Sequence, residues 1–475
     1  MPPRLTLKSF LQQARHTLKK AIEKKDRVTF VIGNESADLD SITSSIIYAY
    51  LQSTASSKHT KPILHIPLLN ISKADISIRP ELLALLPYAD IPRDHLITLD
   101  DLPSGTSSAS DLKSHLPPQN TGWILVDHNA FQGTLGSVYS DSVVGCVDHH
   151  VDEGKVPKSS GDEPRIIETS GSCSSLVINH CRRSVWDQPY SDTDASSSHD
   201  QPNEKTDEWE SQISHLALAS ILIDTRNLQD ASKTTKHDRD AVEFLLSKLS
   251  APAFDSASFY NKLDAAKRDT KSLSLNGMLR KDYKQWTTAA GAAGAAAAAA
   301  SSSCGPSTQA ILGISSTVQP LSYLEEKALT MPTDTETSSY SRPSPSSPDP
   351  GSEPSSFKSL VCEATSFAVS KHLSLFAIMT AFESSSTFRR ELFLLSTDAA
   401  GADAARSFEE ADAEKLRLVE SSPGKVGDKE ERDEKSDEGE GKGQVRVRMW
   451  KQGDVSASRK QVAPLLRRAL EEVEN

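Results

Sequence analysis

The sequence is poor in the features that mark several large classes of protein. Apolar residues occupy 37% of its 475 positions, below the roughly 45–50% of an average globular chain, which indicates folded domains diluted by polar segments. No apolar run approaches the roughly 18 residues that a membrane helix needs, so no membrane partner is expected. The five cysteines include no C-x-x-C pair, which disfavours a zinc ribbon. The formal net charge of −12 argues against a general nucleic-acid binder.

The cysteines and the first residues bear on where the protein works. An odd cysteine count in a chain of this size fits a reducing compartment, so we expect a cytoplasmic protein. The N-terminal segment is basic and amphipathic and has no acidic residue before Glu23. Such a segment is compatible with a mitochondrial transit peptide, but a surface helix leading into the first strand is favoured because many first helices share this pattern.

Four stretches of the chain are low in apolar residues and rich in Ser, Pro, Ala or charge, and three of them carry most of the excess acid. Segments of this composition cannot bury enough surface to offset the entropy lost on ordering. We therefore predict disordered inserts at residues 184–210, 289–308, 331–357 and 421–443.

Short apolar strands alternate with amphipathic helices along the first half of the chain. This alternation predicts an α/β fold with a parallel sheet, in which ligands bind beyond the carboxyl ends of the strands. The predicted strands are residues 28–33, 122–129 and 143–150, and the predicted helices are residues 40–52, 174–181, 213–225 and 237–250.

A second, smaller α/β domain is predicted after the APAF segment at 251–254. We place the first domain at residues 1–250 and the second at 255–475. The segments 261–269 and 273–286 would begin the second domain. Its predicted strands are residues 309–324, 373–382, 390–396 and 444–450, and its final helix is 458–473.

Acidic residues follow each of the predicted strands of the first domain. Asp38 and Asp40 come between the first strand and its helix, where an ordinary helix cap is an equally simple explanation. Asp127 ends the second strand, and it could instead be satisfied by the local backbone. The third strand ends in Asp148 and two histidines, a run that is costly to bury unless it is bound or paired.

Taken together, these side chains offer mostly hard oxygen ligands and one imidazole, a set that suits Mg²⁺ or Mn²⁺ better than a thiolate metal. A carboxylate such as Asp127 could bridge two cations at roughly 3.5–4 Å, which would activate a hydroxide and neutralise phosphate oxygens. The predicted ligands are Asp38, Asp40, Asp127, His149 and Asp224.

These segments resemble the motifs of the DHH phosphoesterase superfamily. The resemblance is strongest to fungal cytosolic exopolyphosphatases, with prune proteins and family II inorganic pyrophosphatases as relatives, and it covers nearly the whole chain apart from the inserts. The matching segments are GNESADLDS (33–41), WILVDHN (123–129), VVGCVDHH (143–150), SGSCSSLVIN (170–179), SILIDTRNL (220–228), LRKDYKQW (279–286) and SRKQVAP (458–464).

The resemblance implies roles for individual residues at a site between the two domains. Asp38 would bind one cation and Asp40 the other, while Asp127 would bridge them and His149 and Asp224 would complete the second position. His150 would contact the phosphoryl group under attack, and Asp148 would orient the neighbouring histidines. Lysine and arginine side chains of the second domain would bind phosphate oxygens; they are Lys284, Arg459 and Lys460.

The expected activity is removal of terminal orthophosphate from linear polyphosphate, by a monomer that uses two divalent cations. A short-chain polyphosphatase or pyrophosphatase, or a prune-like cyclic nucleotide phosphodiesterase, is the alternative enzyme, and a scaffold that binds partners through its acidic loops is the non-enzymatic one. Asn34 departs from the pyrophosphatase pattern, which has histidine there. An amide oxygen is a harder ligand than imidazole, and it could also bind no metal, so we expect a shift from Mn²⁺ toward Mg²⁺.

Overall fold

A computed structural model describes most of the chain, and its residues divide into two compact units, Met1–Thr270 and Lys271–Asn475. The four predicted inserts lie outside the described residues except at their ends, so their predicted disorder stays a prediction. The described residues are 5–54, 64–158, 163–186, 208–249, 254–288, 310–330, 356–421 and 445–473.

The first unit is built on a five-stranded sheet with the order β2-β1-β3-β4-β5. Every neighbouring pair is parallel, which confirms the predicted parallel α/β fold. The strands are β1 Val28–Ile32, β2 His65–Leu68, β3 Thr121–Val126, β4 Val143–Asp148 and β5 Arg165–Ile167.

Helices cover both faces of this sheet. Successive residues of the buried strands point to opposite faces, so Ile124 and Val126 join one apolar cluster while Trp123 and Leu125 join the other. The helices are α1 Leu7–Lys24, α2 Leu39–Thr54, α3 Pro80–Leu85, α4 Ala109–His115, α5 Gly133–Tyr139, α6 Cys173–Val185, α7 Glu208–Asp224, α8 Lys236–Ser247 and α9 Ser256–Arg268.

The helices at the two ends of the first unit are part of its core. Leu7 and Phe10 of α1 are buried, so the N-terminal segment forms the favoured helix that leads into β1. The segment 261–269, which we expected to begin the second domain, lies in and just after α9. Phe259 and Leu263 of this helix are buried in the apolar cluster of the first unit.

The second unit contains a six-stranded mixed sheet with the order β12-β13-β11-β8-β7-β6, and β9 and β10 form a separate hairpin. Among the described strands of this unit, only β7 and β8 run parallel to each other. Its elements are α10 Leu275–Lys281, β6 Tyr283–Thr287, β7 Ile311–Thr317, α11 Leu321–Thr330, α12 Ser356–Ser370, β8 Leu375–Thr380, β9 Phe382–Ser384, β10 Thr387–Arg389, β11 Glu391–Ser396, α13 Ala399–Asp412, β12 Leu418–Glu420, β13 Arg446–Gln452 and α14 Arg459–Val473.

One predicted strand of the second unit is too long. The segment 309–324 was expected to be extended throughout, but the strand ends at Thr317 and α11 begins at Leu321. Pro320 lies between them, and a proline has no N–H to continue a strand ladder. Its carbonyl instead accepts hydrogen bonds from the backbone N–H groups of Tyr323 and Leu324, so the chain turns into a helix there.

Candidate metal centre

The loop between β1 and α2 brings two carboxylates to the carboxyl edge of the parallel sheet. Gly33 allows this tight connection, because a Cβ there would lie 2.6 Å from the Cβ of Ser41. Asp38 is exposed, and its Oδ1 accepts a hydrogen bond from the backbone N–H of Ser41 at 3.0 Å. Asp40 is buried in the first turn of α2. Asp38 therefore caps the helix, while Asp40 faces inward.

Asp127 follows β3 and is held by three hydrogen bonds, two from the β1–α2 loop and one from the first turn of α2. Its backbone has a φ of 62°, a left-handed conformation that aspartate tolerates better than most residues. Its Oδ2 accepts from Asn34 Nδ2 at 2.8 Å and from Ser41 Oγ at 2.6 Å. Its main-chain carbonyl accepts from Asn34 Nδ2 at 3.1 Å. These contacts leave the other carboxylate oxygen, Oδ1, facing the histidines.

The two histidines after β4 converge on Asp127. Oδ1 of Asp127 lies 3.1 Å from Nε2 of His149 and 3.7 Å from Nδ1 of His150. One nitrogen or oxygen atom from each of the three residues lies within 4.8 Å of the others, a spacing that could hold a metal ion. Asp148 is fully buried, and its Oδ1 accepts from His150 Nδ1 at 2.8 Å. Asp148 thus orients one of the two imidazoles directly.

His149 has the hydrogen-bonding pattern of a metal-binding histidine. Its Nδ1 donates to the carbonyl oxygen of Ser170 at 2.9 Å, which fixes the ring and directs Nε2 toward the carboxylates. Burial by itself would lower the pKa of His149, but the hydrogen bond and the charge of Asp127 raise it to about 10. Despite burial, the pKa of Asp127 lies well below its usual range. It is lowered by the hydrogen bond and charge of His149, by the charge of His150 and by the hydrogen bond from Ser41.

Asp40 binds the segment Ser170–Ser175, which we call the serine loop. Its carboxylate accepts from the Ser172 hydroxyl at 2.7 Å, from the Cys173 N–H at 2.6 Å and from the Ser174 N–H at 3.0 Å. Burial and the negative charge of Asp127 nevertheless raise the pKa of Asp40 to about 6. The donors therefore do not fully offset the cost of concentrating negative charge at this point.

Asp224, at the end of α7, joins the same group of acids. Burial, followed by the charges of Asp40 and Asp38, raises its pKa well above the usual value. Its Oδ2 is buried and has no hydrogen-bond partner among the described residues. A buried carboxylate oxygen beside other carboxylates is costly unless a cation is present. The site therefore has the ligand atoms that a divalent cation needs, and it lacks the positive charge that such a cation would supply.

The predicted site residues of the first unit thus lie together at one end of the sheet. Asp127, His149 and His150 are in direct reach of one another. Asp40 and Asp224 interact electrostatically with His149, and Asp38 acts on both of these carboxylates. Asn34 contacts Asp127 through its amide nitrogen, while its amide oxygen accepts from the backbone N–H of Ser36 at 2.9 Å. Asn34 therefore acts here as a support for Asp127.

Ser41 and the serine loop belong to the site as well, and sequence reasoning gave them no role. Ser41 immediately follows the Asp-x-Asp pair, and the serine loop, SGSCSS, runs into the first turn of α6. Serines before or within the first turn of a helix are so common as caps that they carry no signal of their own. Their role becomes visible only through the hydrogen bonds to Asp127 and Asp40.

The two basic motifs of the second unit lie next to each other. Arg459, at the start of α14, donates through Nη2 to Asp282 Oδ1 at 2.8 Å and through Nη1 to the Asp282 carbonyl at 3.0 Å. Lys284 lies two residues after Asp282, in β6, and is partly exposed. Lys460 follows Arg459 and is exposed. The structure therefore brings together the two segments that carry the three predicted phosphate-binding residues of this unit.

Two family models match the chain. The model described as DHH family, N-terminal domain, covers residues 28–221, and the model described as DHHA2 domain covers residues 261–469. The chain therefore contains a DHH domain followed by a DHHA2 domain. The resemblance predicted from the motifs is thereby confirmed, and the site described above lies in and just beyond the DHH domain.

The chain is also similar to individual proteins. The chain is 28% identical to the Schizosaccharomyces pombe protein named "Putative exopolyphosphatase", over 99% of each chain. It is 25% identical to human "Exopolyphosphatase PRUNE1" over 56% of this chain, which is 51% of the human protein. The structure of a "putative family II inorganic pyrophosphatase" from Methanococcus jannaschii aligns with a TM-score of 0.48 and 15% identity, covering 93% of this chain and 99% of the other.

No helix in the part of the chain that the structure describes is both long enough and apolar enough to cross a membrane.

Proposed function

We propose that the chain is an exopolyphosphatase, which releases orthophosphate from the end of linear polyphosphate. Hydrolysis of a phosphoanhydride bond is supported by the DHH domain and by the full-length alignment with the S. pombe protein. The observation that carries the proposal is the buried set of carboxylates around Asp127 and His149, which needs cations to balance its charge. Polyphosphate is a dense polyanion, and cations at such a site would bind it.

The donor set fits two divalent cations, Mg²⁺ or Mn²⁺, and we propose that five residues hold them. When bound, such cations would lower the pKa of a water molecule and neutralise oxygens of the phosphoryl group. Asp127, with Oδ1 facing the histidines and Oδ2 held by Ser41 and Asn34, would lie between the two positions. The proposed ligands are Asp38, Asp40, Asp127, His149 and Asp224.

His150 would contact the phosphoryl group that is attacked. Its Nδ1 donates to Asp148, so Nε2 is the nitrogen that would reach the substrate. A protonated His150 would donate from Nε2 to a phosphoryl oxygen, and the buried Asp148 carboxylate would stabilise the positive charge of the ring. Asn129 Nδ2 in turn contacts Asp148 Oδ2 at 2.5 Å, which holds that carboxylate in place.

Basic residues of the second unit would bind the phosphates beyond the one that is cleaved. Arginine offers a planar fork that matches phosphate oxygens, and lysine offers a point charge. Asp282 holds Arg459 in one orientation, which reduces the entropy lost when the guanidinium binds. We propose that Arg459, Lys284 and Lys460 carry out this role.

We further propose that the enzyme works as a monomer in the cytoplasm. Gel filtration with light scattering would test the oligomeric state, and cell fractionation would test the location.

The decisive experiment measures orthophosphate release from long polyphosphate in the presence of Mg²⁺ or Mn²⁺. Tripolyphosphate, pyrophosphate and a cyclic nucleotide are assayed beside it, because they are the substrates of the alternative enzymes that the motifs leave open. Turnover that favours long chains is expected. Turnover confined to pyrophosphate or to the cyclic nucleotide would replace the proposal with one of the alternatives.

A further inference from the structure

Asp238 is a buried carboxylate outside the set of predicted ligands. It lies in the first turn of α8 and forms a capping box with Thr235, whose N–H and hydroxyl donate to Asp238 Oδ2 at 2.7 and 2.8 Å. Its side chain has no solvent exposure. The capping box itself requires the carboxylate only as the acceptor for the Thr235 N–H, so neither it nor the local bond from the Thr235 hydroxyl accounts for the remaining contacts of this carboxylate.

The remaining contacts of Asp238 all come from the serine loop. Oδ1 accepts from the Ser170 hydroxyl at 3.0 Å, the Ser172 N–H at 3.2 Å and the Ser175 hydroxyl at 2.7 Å. Oδ2 accepts from the Gly171 N–H at 2.9 Å. Six donors thus surround one carboxylate, and four of them belong to a segment more than 60 residues earlier in the chain.

The serine loop reaches the proposed metal ligands from its other side. The carbonyl of Ser170 accepts from His149 Nδ1, and Ser172 donates to Asp40 through its hydroxyl. The loop is also tightly packed, because a Cβ on Gly171 would lie 2.6 Å from Thr225 Cγ2 and 2.9 Å from Asp238 Oδ2. The loop therefore contacts two of the five proposed ligands directly, and it packs against Thr225, the residue that follows the third, Asp224.

We propose that Asp238 is a positioning residue for the metal centre: it holds the serine loop in the one conformation that aims Asp40 and His149 at a shared cation. This inference rests on the proposed function only in taking Asp40 and His149 as metal ligands. The coupling has a simple physical basis. The serine loop is closely packed but mostly polar, and one buried anion gives it four directed hydrogen bonds that fix its conformation.

The carboxylate is required in its charged form. Burial by itself would raise the pKa of Asp238, but the hydrogen bonds from Ser175, Thr235 and Gly171 lower it below the usual value. An asparagine cannot replace it. If the amide nitrogen takes the place of Oδ1 it meets the Ser172 N–H, and if it takes the place of Oδ2 it meets the Gly171 and Thr235 N–H groups. Either orientation sets donor against donor and loosens the loop.

The test measures metal binding by the full chain without substrate. Mn²⁺ is titrated into wild type, Asp238→Asn and a control, Glu163→Gln, and free Mn²⁺ is followed by electron paramagnetic resonance. Glu163 is a matched control because it is a partly buried carboxylate of the same unit, bonded to His65 and Tyr48 and not to the serine loop. Loss of outer contacts to a metal ligand typically costs about 10- to 100-fold in affinity, and we expect that loss for Asp238→Asn alone.

Thermal unfolding and circular dichroism separate this effect from loss of the fold. If Asp238→Asn does not fold, Ser175→Ala decides, because it removes one donor to Asp238 and touches neither ligand; a several-fold weaker Mn²⁺ affinity is then expected. Mn²⁺ affinity equal to wild type in the folded variant, or a loss matched by Glu163→Gln, overturns the inference. A wild type that binds Mn²⁺ but leaves polyphosphate intact would instead refute the proposed function and leave the role of Asp238 standing.

Discussion

Asn34 and Asp127 form a side-chain pair in which the amide nitrogen of Asn34 donates to both the carboxylate and the main-chain carbonyl of Asp127. The pair joins the end of β1 to the end of β3, which are neighbours in the sheet. It fixes the orientation of the carboxylate proposed to lie between two cations. The first prediction follows from what a histidine would do in the same place.

Asn34→His should raise the dependence of turnover on Mn²⁺ relative to Mg²⁺. An imidazole is a softer ligand than an amide oxygen and favours the later transition metals over Mg²⁺. The measurement compares activity across Mn²⁺ and Mg²⁺ concentrations in wild type, Asn34→His and Asn34→Ala. The alanine variant controls for loss of the contact to Asp127. If the ratio of activity with Mn²⁺ to activity with Mg²⁺ is the same in Asn34→His as in wild type, the prediction is wrong.

Asp127→Asn should abolish nearly all turnover while leaving the fold intact. The side chain keeps its shape and can still accept from Ser41, but it loses the negative charge that faces His149. We expect a loss of at least about 100-fold in the rate of phosphate release, in line with the loss of a key electrostatic group at an active site. Circular dichroism checks the fold, and retention of most activity would contradict the bridging role.

Asp224→Asn should stabilise the metal-free protein at pH 8 and have much less effect near pH 4. A carboxyl whose pKa is raised on folding binds a proton more tightly in the folded state, so stability falls as pH rises from the unfolded value of about 3.8 toward the raised value. One pKa unit corresponds to about 1.4 kcal/mol, and we expect a gain of at least about 1 kcal/mol at pH 8.

Thermal unfolding in a chelator at several pH values measures this effect. Adding Mg²⁺ or Mn²⁺ at pH 8 should make wild type more stable than the variant, because the cation offsets the negative charge in wild type and has one ligand fewer in the variant. A variant that is less stable than wild type at pH 8 without metal would show that Asp224 has a partner that compensates its burial.

Arg459→Ala and Lys284→Ala should weaken binding of polyphosphate more than they slow the chemical step. These side chains are proposed to hold phosphates that are not cleaved, and such contacts act mainly on KM. We expect KM to rise about 10-fold, which corresponds to about 1.4 kcal/mol. Arg467→Ala on α14 is the matched control and should resemble wild type. Equal effects of all three substitutions would indicate a general loss of positive charge.

Local patterns in the sequence determined a large part of this protein. Alternating apolar strands and helices predicted the parallel sheet of the first unit, because each element carries its own periodicity. The carboxylates were found because acidic residues at strand ends mark ligand sites in such sheets. The motifs then identified the DHH family. Local reasoning failed at Pro320, since the predicted strand was continued through this proline although β7 ends at Thr317.

Only the tertiary structure decided which groups support the ligands. Asp238 looks in the sequence like the third residue of a helix, and Ser172 looks like a loop serine before α6. Their function depends on hydrogen bonds between segments separated by 66 and 132 residues, and no local pattern encodes such pairs. The physical reason is that a buried charge is tolerated only where the whole fold supplies donors to it. The residues of the site can therefore be read from the chain, but what holds them in place follows from the fold.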